Sequence, residues 1–221
     1  MNRSIRQTLR NLKQDVSGLA MVEFAFAAPL VLGMGMLGTD TASLVIAHLQ
    51  VSQIAMQLAD NASRVGEEDT LAARRVYERD IIDTLLGAEK LGENISIYQQ
   101  GRVIISSLQR NAQGGQWIAW QRCRGAKNFN ASYGAQGAGS TGTSFPGMGV
   151  PGRYITASAG TAVMFVEVAY DFRSITPMNL FNNQQIVYTA AFNVRDNRDL
   201  SQLYAGGAVA RCTTFSANRP V

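Results

Sequence analysis

The sequence predicts an α+β protein in which one long N-terminal helix leads into a compact domain built on an antiparallel sheet. Two observations predict it. An apolar run over residues 19–38 continues into a helical pattern that lasts to residue 65, and beyond residue 95 the hydrophobic period changes from helical to alternating. A chain of 221 residues suffices for one domain with a real core plus one further segment.

The first element is a basic leader, residues 1–18, in which Arg3, Arg6, Arg10 and Lys13 face only Asp15. It carries +3 of the chain's +4, so the high isoelectric point does not describe a polyanion-binding surface, and no nucleic-acid partner is expected. The apolar run that follows is 20 residues long, which as a helix at about 1.5 Å per residue matches the roughly 30 Å hydrocarbon layer of a bilayer. Basic residues directly before it place the N-terminus in the cytoplasm and everything after Asp40 outside, as in a single-pass protein of a bacterial inner membrane whose C-terminal domain is periplasmic.

Two other readings of this segment fit poorly. A cleaved secretory signal would have a shorter apolar region, no acid near its start and a small-x-small exit. A dinucleotide-binding turn is mimicked by residues 29–32 and Gly33-x-Gly35-x-x-Gly38, with Asp60 beyond, but residues 51–59 carry helical spacing where a second strand is required. Glu23 is the exceptional residue of the run. An ionised carboxylate inside a spanning segment costs about 2.5–3.5 kcal/mol and needs either a partner or a position near the headgroups from which to snorkel.

Residues 39–65 continue the helix with an amphipathic pattern. Leu44, Val51, Leu58 and Val65 recur every seven positions, with Ala47, Ile54 and Ala62 between them, a narrow face suited to packing on the protein's own domain or along neighbouring helices. His48, the only histidine, is expected to be a polar surface or packed residue. Residues 66–221 form the outer domain. Gly66-Glu67-Glu68-Asp69-Thr70 reads as a helix stop followed by an acidic start, with a second helix over residues 71–86 capped by Gly87. Residues 95–98 and 103–106 read as a hairpin around Gly101, residues 116–123 as a further strand, and residues 161–172 and 185–194 as the strongest strands, separated by Pro177. Residues 125–152, rich in Gly, Ser, Ala and Asn, read as a long surface loop with few buried side chains and too little apolar material to order itself strongly.

Cys123 and Cys212 lie 89 positions apart in similar contexts and form no CxxC pair. Zinc would need more ligands than one distant histidine supplies, so no metal is expected. In an oxidising compartment the expectation is one disulfide on strands or strand ends, the competing expectation being two buried free thiols. No catalytic constellation is visible: there is no Ser-His-Asp set without His48, no P-loop, and Ala138-Gly-Ser140-Thr-Gly142 lacks the first glycine of a nucleophile elbow. The chain is expected not to be an enzyme and to need no cofactor. The Asn-x-Ser sequences at Asn61, Asn94 and Asn130 imply no glycan in a bacterial envelope.

The run from Gly18 through Glu23, Phe24 and Pro29 resembles the processing site and N-terminal helix of TadE-like proteins, minor pseudopilins of the tight-adherence (Tad, Flp-type) pilus system. The resemblance covers residues 15–65 and does not separate TadE from TadF or other TadE-like proteins. It implies that a prepilin peptidase cuts between Gly18 and Leu19, which makes Glu23 the fifth residue of the mature chain, next to an aromatic residue. Phe24 stands where major pilins carry Tyr, a departure that favours a pseudopilin. The implied plan is that of a pilin: an embedded helix, with Glu23 and Phe24 serving assembly, on a periplasmic α+β domain. The implied partners are the prepilin peptidase, other Tad pilins and pseudopilins, the inner-membrane assembly platform and membrane lipid. The competing class is an uncleaved, membrane-anchored periplasmic scaffold or binding protein.

Overall fold

A computed structural model describes residues 17–66 and 73–220, together with Gln7, Thr8, Arg10, Asn11 and Lys13. The acidic cluster Glu67, Glu68 and Asp69, the expected helix start at Leu71, and most of the leader lie outside the described residues.

Helix α1, Ser17–Arg64, runs unbroken for 48 residues and passes through Pro29. At its midpoint the hydroxyls of Thr39, Thr41 and Ser43 donate to the carbonyls of Gly35, Leu37 and Thr39, each four residues back. These polar side chains are thereby satisfied by the helix itself, and the helix continues through them. Helix α2, Glu78–Leu91, begins seven residues later than the sequence suggests, where the Asp80 carboxylate accepts the Tyr77 N–H at 2.8 Å. Gly87 lies inside α2, not at its end. The helix stops at Gly92, where a side chain would collide with Ile97.

The expected hairpin around Gly101 is not present. Residues 95–98 instead form a 3₁₀ turn, Glu93–Ile95, and a single helical turn α3, Ile97–Gln100, joined by Ser96 in the left-handed region at φ 52°. Ile97 and Tyr98 are both buried, which two neighbours on a half-exposed strand could not be. Gly101 starts strand β1, Gly101–Arg110, and the hairpin partner is β2, Gln116–Arg124. Asn111 shapes the turn between them, its side-chain oxygen accepting the N–H groups of Gln113 and Gly115. A short hairpin of β3, Met148–Val150, and β4, Arg153–Ile155, precedes the two long strands β5, Val163–Asp171, and β6, Gln185–Asn193.

The main sheet is antiparallel in the order β2-β1-β5-β6. One face is covered by α1 and α2: Val51, Ile54, Leu58 and Ala62 of α1 share a core with Ile81 and Leu85 of α2 and with Val166, Val168 and Tyr170 of β5. The other face carries a smaller cluster of Leu108, Ile118, Val163 and Phe165, covered by Tyr133, Ala138, Phe145 and Met148 from the glycine-rich stretch. An irregularity in the β1–β2 register decides which face two side chains of β2 reach. It pairs Ser107 with Trp120 but Leu108 with Ile118, so Trp120 reaches the helix face while Ile118 reaches the opposite one.

The 125–152 stretch is a surface loop in which Met148 is the one buried side chain. It is nevertheless held in place. The Asn111 amide donates to Gly139 O and Gly142 O at 2.8 and 2.7 Å, and the Ser132 N–H donates to the buried Glu167 carboxylate at 3.0 Å. Gly139 itself, at φ 74°, leaves 2.3 Å between a notional Cβ and the Gln116 carbonyl, so no other residue fits there.

Candidate membrane and assembly site

The residues singled out by the sequence occupy the first turns of α1. Gly18 and Leu19 follow Ser17, the first described residue of α1, and Glu23 stands one turn beyond Leu19 on the same side. Leu19 is 59 % exposed and Phe24 69 %, and no side chain from residue 18 to residue 39 is buried against the rest of the chain. The best 18-residue window of this helix has a mean hydropathy of 1.8 with none of it buried, so the helix is long and apolar enough to cross a membrane. Among the described residues, nothing lies within 4 Å of a Cβ built on Gly18, Gly33, Gly35 or Gly38. The fold therefore tolerates a side chain at each, and any requirement for glycine there comes from outside the chain.

Asp40 ends this exposed half. Its side chain is fully buried: Oδ1 accepts the N–H groups of Ile175 and Thr176 at 3.1 and 3.0 Å, and Oδ2 accepts the Thr176 hydroxyl at 2.7 Å. A carboxylate two positions past an apolar run is visible in the sequence, but its partners, 135 residues away, are not.

From Ala47 to Ala62 one side of α1 is buried, on the positions the seven-residue pattern selects, while Leu44 and Val65 at the ends are partly covered. His48 is half-buried and packed, its ring edge-on to Tyr188 with Nδ1 3.3 Å from the Tyr188 hydroxyl. Val45, Ile46 and Leu49 remain more than half exposed on the outer side. At the far end, the buried Arg198 donates to the carbonyls of Ala62, Ser63 and Val65 at 3.1, 3.0 and 2.7 Å. It thus caps the helix C-terminus with charge of the favourable sign. Burial lowers its pKa to about 10.

Cys123 and Cys212 form a disulfide with a 4.7 Å Cα–Cα separation. Cys123 is on β2 as expected, whereas Cys212 sits in a turn of the C-terminal tail, not on a strand. The tail substitutes for a strand at the sheet edge, with the Cys123 N–H donating to Ala210 O and the Gly125 N–H to Ser216 O. Arg102, fully buried, donates to the carbonyls of Gly125, Thr214 and Cys212 and lies 4.0 Å from the Phe215 ring centroid. Burial lowers its pKa. On the helix face, Arg122 and Arg124 each make a forked ion pair, with Glu78 and Glu89 of α2. None of these arginines stands out in the sequence, because each lies in an ordinary polar context.

Among the described residues no group of three His, Cys, Asp or Glu side chains is placed to hold a metal. The architecture is pilin-like: a long N-terminal helix, apolar and unpacked in its first half, seated through its second half on an antiparallel sheet. A disulfide in the domain suits an extracytoplasmic location. No family model, curated protein or solved structure matches this chain.

Proposed function

We propose that the chain is a TadE-like minor pseudopilin, anchored in the bacterial inner membrane with its domain in the periplasm, that supports assembly of Flp-type pili after a prepilin peptidase removes its leader. Its role is structural, not catalytic. The observation that carries the reading is the Gly18–Glu23–Phe24 spacing at the head of an unpacked apolar helix. Hydrolysis of the Gly18–Leu19 peptide leaves a carboxylate on the leader and an α-amino group on Leu19. That amino group, once protonated, can neutralise Glu23 of an adjacent protomer in the apolar layer, where a lone carboxylate is heavily penalised and a paired one much less so. The pairing would fix the height of one helix against the next.

The intact mass of protein recovered from membranes tests the first step: it should begin at Leu19. Because the fold leaves open space at position 18, Gly18→Val should fold normally and keep its leader. Glu23→Ala should be cleaved yet fail to enter the assembly. A full-length mass in membranes that carry an active peptidase would favour the uncleaved scaffold instead. Normal piliation with both Glu23→Ala and Glu23→Gln would remove the pairing role.

A further inference from the structure

The loop joining β5 to β6 is an ordered structure with an unusual surface. Consecutive turns build it, with the Asn179 N–H donating to Thr176 O, the Asn182 N–H to Asn179 O and the Gln184 N–H to Phe181 O, and its base is closed by the Asn183 N–H donating to Phe172 O. Phe181 tucks into the main core, while Ile175, Met178 and Leu180 point outward, 72, 45 and 53 % exposed. Between Arg173 and Arg195 the chain has no charged residue. A loop facing bulk water gains nothing from presenting three large apolar side chains and no charge.

The position of this loop identifies what it faces. Asp40 grips it at Ile175 and Thr176, and Asp40 lies two residues, about 3 Å of helix rise, beyond the last residue of the apolar run at Gly38. The exposed side chains therefore stand beside α1 at the height where it leaves the apolar layer, and they continue its apolar surface sideways. Arg198 fixes the opposite pole of the domain at the other end of α1.

We infer that the 174–184 loop is a membrane foot: Ile175, Met178 and Leu180 insert into the lipid interface beside α1 and hold the domain at a set height and tilt on the bilayer. The inference rests on the reading of residues 19–38 as the membrane span. Asp40 is the positioning residue, since it ties the foot to the helix that sets its depth.

The test uses the full chain in phosphatidylcholine–phosphatidylglycerol vesicles with the native disulfide oxidised. A nitroxide is attached at Met178→Cys or Leu180→Cys, with Leu30→Cys reporting on the span and Val150→Cys on an exposed apolar site of the β3–β4 hairpin, whose Met148 packs beside Val163 at the end of β5 away from the loop. Collisions with a water-soluble nickel chelate and with dissolved oxygen are measured at each site. The foot sites should be shielded from nickel at least about threefold relative to Val150→Cys, and enriched in oxygen, at a depth short of Leu30→Cys. Foot sites as open to nickel as Val150→Cys, with Leu30→Cys in lipid, overturn the foot and leave the span standing. Leu30→Cys equally open to nickel overturns the span and the foot with it. Shielding that grows with the protein-to-lipid ratio assigns the loop to a second copy and also overturns the inference.

Discussion

The two faces of the sheet are held by different forces. On the helix face, α1 and α2 bury a continuous apolar interior, closed at its margin by the Arg122–Glu78 and Arg124–Glu89 pairs. On the opposite face the apolar cluster is small, and the covering chain has almost no regular structure. There a disulfide, the Asn111 side chain, the buried Arg102 and the Glu167 carboxylate do what packing does on the other side. A face without enough apolar surface to order its cover is closed by covalent and directional polar links instead.

Breaking the covalent link should give the largest effect. A loop of 89 residues freed in the unfolded state corresponds to about 4 to 5 kcal/mol by chain entropy, so the Cys123→Ser, Cys212→Ser pair should lower the urea midpoint steeply. Hydrogen exchange should quicken first in the tail and at Gly125, before the amides of Val51 and Leu58. Uniform loosening of both faces would show that they are not independent.

Leu58→Ala strikes the helix face at a fully buried site and should cost about 3 kcal/mol in denaturant unfolding. The equivalent truncation on the other face, Phe145→Ala, removes a half-buried ring and should cost only about 1 to 2 kcal/mol. Equal losses would mean that the loop cover is packed as a core.

The smallest effect is a pH slope. Burial raises the Glu167 pKa against the lowering effect of the Ser132 hydrogen bond, and one carboxylate oxygen has no partner among the described residues. The fold therefore holds its proton more tightly than the unfolded chain does. Glu167 should withdraw stability as pH rises from the ordinary glutamate range through its raised folded value. Urea midpoints measured across that range should fall with pH in the native chain and fall less in Glu167→Gln; parallel curves would assign the slope to other groups.

The same division explains what could be read from the sequence. The helix face was legible because a seven-residue repeat from Leu44 to Val65 and the long apolar strands at 163–171 and 185–193 are periodic signals of packing. The disulfide was legible from two cysteines and a compartment. Residues 95–98 misled because four residues of alternating polarity fit a strand or a helical turn equally well, and the left-handed Ser96 decides between them. The order of the glycine-rich loop was not legible, since it depends on Asn111, Ser132 and Gly139 meeting partners from distant strands. Asp40 and Arg198, which fix the two ends of the packed helix, were hidden for the same reason: their partners lie more than a hundred residues away in the chain.

Those two clamps also determine how the domain bears load. Between Asp40 and Val65 the helix is gripped at both ends, about 38 Å apart, and lies along β5 and β6 in between. A pull on the exposed apolar half of α1 is therefore spread as shear over the whole length of the contact, because the packed half is held at both of its ends. Tension along the helix axis reaches the sheet through many side chains at once, so the domain and the helix respond to traction as one strut.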